Sequence, residues 1–77
     1  MKKYYILVVS VLDEDGNRVE AHEITGSNNK KEILIARKDL DREIANGEYN
    51  DLNMEDCTLD AEIEVHNNDS WELLYIM

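Results

Sequence analysis

Lysine and arginine are missing after Arg42, proline is missing altogether, and a single cysteine, Cys57, stands in the whole chain. One cysteine excludes an internal disulfide and a tetrahedral thiolate zinc site, and it suits a reducing compartment. No apolar run is long enough to cross a bilayer as a helix; the richest, Tyr4–Leu12, stops after nine residues. That stretch runs directly into Asp13-Glu14-Asp15-Gly16 with no small-residue cleavage site, so it does not read as a secretory signal. A cytoplasmic location is the expectation. Repeats and low-complexity segments are absent too, and a length of 77 residues implies one domain, 1–77, near the lower size limit for a single core. A stability margin of roughly a few kcal/mol leaves little room for buried catalytic charges.

Acid is what the chain has in excess. It holds 18 acidic and 8 basic residues, for a formal net charge of −10 at pH 7. Residues 1–42 balance eight acids against all eight bases, whereas residues 43–77 carry the other ten acids uncompensated. Such a field repels phosphate backbones and anionic membranes and draws basic protein surfaces inward. Direct nucleic-acid and membrane binding are therefore not expected. With 43% apolar and 34% charged residues, the composition is that of an ordered domain rather than an acidic tail.

The pattern predicts strand, strand, helix, strand, strand. Lys3–Leu12 is apolar on both alternating faces, Tyr4/Ile6/Val8/Leu12 and Tyr5/Leu7/Val9/Val11, which suits the middle of a sheet. Asp15-Gly16 offers a tight hairpin turn, and the mostly polar run Arg18–Thr25 reads as an edge strand. Ser27 is the expected helix N-cap; Ile33, Ala36, Leu40 and Ile44 recur at helical spacing, and Gly47 suits the stop. Arg37 falls inside that stripe and Ile35 points away from it. Glu48–Cys57 has no period and reads as a long connection. Thr58–His66 alternates strictly, with Leu59, Ala61, Ile63 and Val65 on one face and Asp60, Glu62, Glu64 and His66 on the other. Trp71–Met77 is a last strand, apolar on both faces.

Placing the doubly apolar first and last strands in the centre gives an α+β fold: a four-stranded mixed sheet in the order 2-1-4-3, crossed by one helix (ββαββ). That arrangement resembles the β-grasp of ubiquitin-like domains and of the immunoglobulin-binding domain of protein G, in architecture alone. The chain departs from ubiquitin-like modifiers by ending in Leu-Leu-Tyr-Ile-Met instead of a Gly-Gly tail, so conjugation and sulfur transfer are not implied. The alternative topology reverses the second hairpin, carried by the long connection. In either case one helix covers one sheet face. The other face is expected to be a contact surface or to be covered by the 48–57 segment through Tyr49, Leu52 and Met54.

No motif carries chemistry. Asp13–Asn17 lacks EF-hand spacing, since Gly16 is fourth where a sixth-position glycine is needed and Ile24 is twelfth where a glutamate is needed. His22 and His66 fall on strands expected at opposite edges, and Cys57 follows two acids without a base partner. Neither a phosphate-cradling loop nor a nucleophile elbow is present. The expectation is a non-enzyme with no metal and no cofactor.

Two functional readings stay open. In the first, carboxylates spaced roughly 6.6 Å along a strand approach the phosphate spacing of a nucleic-acid strand. An ordered acidic sheet of this kind would occupy a basic nucleic-acid-binding groove, with Glu55, Asp56, Asp60, Glu62, Glu64 and Glu72 as contacts. In size and charge the chain resembles small acidic phage and mobile-element inhibitors of the anti-CRISPR and anti-restriction type. The alternative is a homodimer or assembly subunit that uses an apolar sheet face, Tyr5, Leu7, Val9, Leu74 and Ile76, with the acids only solubilising.

Overall fold

Strand β1, Lys3–Leu12, lies inside the sheet, bonded on one side to β2, Arg18–Ser27, and on the other to β3, Thr58–Asn67. A short strand β4, Leu73–Ile76, adds to the far side of β3, and helix α1, Lys30–Ala45, packs across the sheet. The computed structural model describes residues 2–77. All three pairings are antiparallel and the order is β2-β1-β3-β4, an α+β architecture.

The expected mixed sheet in the order 2-1-4-3 is corrected by this order, and strand length supplies the reason. β1 and β3 match residue for residue over ten pairs, from Lys3↔Asn67 to Leu12↔Thr58. A four-residue β4 in that place would leave most of the inner edge of β1 without backbone partners, which is costly in a sheet interior. The chain follows the reversed second hairpin instead. The amphipathic β3 is central and the doubly apolar β4 is the edge.

Alternation then divides the core. Tyr5, Leu7 and Val9 of β1 join Ala61, Ile63 and Val65 of β3 beneath Ile33 and Leu40 of α1. Six of these, Leu7, Val9, Ile33, Leu40, Ile63 and Val65, are at most 1% exposed. Tyr5, Leu7 and Val9 are therefore core residues under the helix and not a free interface, which corrects the expected apolar contact face. Of that set Leu74 is half-buried and Ile76 exposed, both on the edge strand. The 48–57 segment does not cover the second face either. Tyr49 and Leu52 pack against the helix-side core, and Met54 is exposed.

The helix begins two residues later than Ser27 suggests. Asn29 is the N-cap, its Oδ1 accepting from the Lys31 and Glu32 amides, while Ser27 Oγ accepts from Asn29 N–H and donates to Glu32. At the other end Gly47 (φ 82°) donates to the Ile44 carbonyl and Glu48 to the Glu43 carbonyl, a Schellman stop. The helix starts near the Lys3 end of β1 and finishes near the Leu12 end, from which β3 returns.

Candidate functional site

Leu12 pairs with Arg18 on one side and Thr58 on the other, so the β1–β2 turn and the turn preceding β3 stand side by side. They border an open depression of about 330 Å³ lined by Asp13, Glu14, Asp15, Glu55, Asp56 and Cys57. Local chemistry shapes both turns. Asp13 Oδ1 accepts from the Asp15 and Asn17 amides, at 2.9 Å each, and Gly16 takes φ 84°. Opposite, Asp56 adopts a left-handed φ of 61° and the Cys57 amide donates to the Met54 carbonyl at 3.1 Å. Asp13 is thus engaged by backbone. The carboxylates of Glu14, Asp15, Glu55 and Asp56 are exposed, and among the described residues none is held by an ion pair or hydrogen bond.

The strand row behaves differently from its reading in sequence. Asp60, Glu62, Glu64 and His66 do share the face away from the helix, but only Asp60 is exposed. Arg18 reaches from β2 over β1 to β3, pairing with Glu64 Oε2 and standing 4.0 Å from Glu62 Oε1. On the same face of β1, Val8 and Ser10 are buried, and among the described residues Ser10 Oγ has no hydrogen-bond partner. Glu64 Oε1 also meets His66 Nε2 at 2.9 Å. Two of the row's three carboxylates are therefore partly neutralised and half-buried, and this face is shielded by its own long side chains.

Glu72 does not join the acidic end. It sits in the β3–β4 turn, its carbonyl accepting from the Asn67 amide, beside a depression lined by Lys2, Lys3, Asn28 and Asn68. Ten β-residues separate this end from the acidic turns, about 30 Å. The two ends of the sheet therefore differ in charge. Lys2, Lys3, Lys30 and Lys31 lie at the end where the helix starts, together with Asp69 and Glu72, and the carboxylates of Glu14, Asp15, Glu55 and Asp56 lie at the end where it finishes. Behind that acidic end the Tyr49 phenol has its pKa pushed up, first by burial, then by the charges of Glu43 and Glu48 and a hydrogen bond to Glu43.

Glu55, Asp56 and Asp60 lie where a partner can reach them. In the sequence Asp13–Asp15 shows only as a turn, and its meeting with Glu55–Asp56 follows from the antiparallel β1–β3 pairing. Of the two histidines, His22 is on edge strand β2 near Glu20, and His66 is on a central strand. Among the described residues, no group of three or more histidine, cysteine or acidic side chains is arranged to hold a metal ion, and no helix is long and apolar enough to cross a membrane. No family model, curated protein or solved structure matches the chain.

Proposed function

We propose that this chain is a non-enzymatic, protein-binding domain of the cytoplasm whose acidic end docks into a basic groove, of the kind that holds nucleic acid. One observation carries the reading. Four exposed carboxylates, Glu14, Asp15, Glu55 and Asp56, converge from two turns on one rim, with no cation paired to them among the described residues. Asp60 extends the rim along β3. Like-charged groups gathered on well-formed turns repel one another, and a cationic surface relieves that repulsion on binding. Glu62 and Glu64 contribute less, since Arg18 already answers them. An inhibitor of a nuclease or of another phage-directed nucleic-acid-binding enzyme fits this surface; nucleic acid itself and anionic membranes are repelled.

The experiment is a titration of the chain against a panel of purified nucleases and DNA-binding enzymes with basic grooves. Affinity that weakens steeply with salt, together with displacement of the enzyme's DNA, is the expected result. Binding indifferent to salt would count against the reading.

A further inference from the structure

One imidazole links β3 to the β3–β4 turn, beside the backbone bonds from the Trp71 amide to the Asn67 carbonyl and from the Asn67 amide to the Glu72 carbonyl. His66 Nδ1–H donates to the Trp71 carbonyl at 3.1 Å, and His66 Nε2 stands 2.9 Å from Glu64 Oε1. A carbonyl and a carboxylate are both acceptors, so each ring nitrogen needs its own proton for both bonds to form. The imidazolium meets that requirement, whereas a neutral ring satisfies one acceptor and turns a lone pair to the other. The ring side chain is 14% exposed and Glu64 15%, so water is a limited substitute.

The backbone held in this way is unusual. Trp71 adopts φ 62°, a left-handed conformation that is uncommon for a bulky residue. Its ring sits edge-on to Tyr4, with centroids 5.1 Å apart. The β3–β4 register also shifts beside His66, with His66↔Leu73 followed by Val65↔Tyr75, which leaves Leu74 as an extra residue. A four-residue, bulged edge strand has few ladder bonds of its own.

We infer that His66 is a proton-dependent latch. Doubly protonated, it pins the Trp71 corner and keeps β4 docked; loss of one proton leaves the corner to its backbone bond, Trp71 N–H to the Asn67 carbonyl at 2.8 Å, and loosens β4. The charged groups on this face are Asp60, Glu62 and Glu64 of β3, and Glu23 and Arg18 of β2, the last of which bonds the other Glu64 oxygen. β1 presents Tyr4 opposite His66, β4 presents Leu73, and α1 lies on the other face. Because Arg18 holds Glu64 in place, the carboxylate stays when the ring loses its proton, and the change falls on the Trp71 bond. The device is independent of the acidic end.

The test follows amide exchange of Leu73–Met77 across the imidazole titration, corrected for intrinsic rates, alongside ¹⁵N spectra of the His66 ring. The expected result is a ring protonated at both nitrogens on the acid side. Protection of the β4 amides should then fall by about tenfold on the alkaline side, a change worth roughly 1.4 kcal/mol. In His66→Gln, which retains one donor, protection should not vary with pH, while the core amides of β1 remain as in the native chain. A ring that is a single neutral tautomer on the acid side overturns the inference. So does β4 protection that ignores pH in the native chain, or varies equally in His66→Gln.

Discussion

Arg18 of β2 bonds the Glu64 carboxylate of β3 by crossing the strand that lies between them. The guanidinium also stands near Glu62, and the three side chains are 15–23% exposed. The pair should therefore exceed an ordinary surface ion pair. Arg18→Met should destabilise the domain by about 1–3 kcal/mol in urea unfolding, because two half-buried carboxylates lose their cation. A double-mutant cycle with Glu64→Gln should return a coupling of at least about 0.5 kcal/mol; additive effects would show that the crossing does not contribute.

The core assignment makes a sharper contrast. Leu40 is 1% exposed and Ile35, five residues earlier on the same helix, is 56% exposed. Leu40→Ala should cost about 2–5 kcal/mol, enough to unfold much of a small domain, while Ile35→Ala should stay within about 0.5 kcal/mol. Thermal melts of the two variants check this directly. Equal effects would mean that the helix is rotated from the position described.

Much of this architecture was legible in the residues. Element order, the helix stripe at Ile33, Leu40 and Ile44, the Gly47 stop and the two faces of β3 all follow from periodicity, which depends on local geometry. Strand order does not. Trp71–Met77 is apolar on both sides, a pattern that suits an interior strand, yet only four of its residues form β4 and they lie at the edge. Pairing length outweighed that pattern. The acidic rim was half legible: Glu55, Asp56 and Asp60 stood out by composition, while Glu14 and Asp15 joined them only through the Leu12↔Thr58 pairing. Arg18's reach across β1 had no sequence signal, since it links residues 46 apart.

Tyr49 gives a pH signature of the acidic end. Burial and the neighbouring Glu43 and Glu48 hold its phenol protonated above the ordinary tyrosine range in the folded state. Its contribution to stability is fully present below the unfolded tyrosine pKa, about 10, and is lost as pH rises through the higher folded value. Unfolding curves should therefore show an alkaline loss of stability that Tyr49→Phe reduces. An identical alkaline profile in Tyr49→Phe would contradict this.

Gly26 is where the Tyr4 ring lies against the backbone. A Cβ at this position would stand 2.6 Å from Tyr4 Cε2, too close for the ring to remain. Gly26→Ala should displace Tyr4 from its edge-on contact with Trp71, at a cost of about 1–3 kcal/mol. The tryptophan's near-ultraviolet circular dichroism should change with it. An unaltered spectrum would show that the ring pair does not order Trp71.

Partner docking at the acidic end is tested most directly by comparing the native chain with a Glu14→Lys, Glu55→Lys double variant. Both residues are exposed, so the variant should fold with native or slightly greater stability as self-repulsion falls. Affinity for a basic nucleic-acid-binding enzyme, measured across a salt series, should drop by at least about tenfold, with a shallower salt dependence. A variant that binds as tightly as the native chain, with an unchanged salt slope, would contradict the proposed use of this end of the molecule.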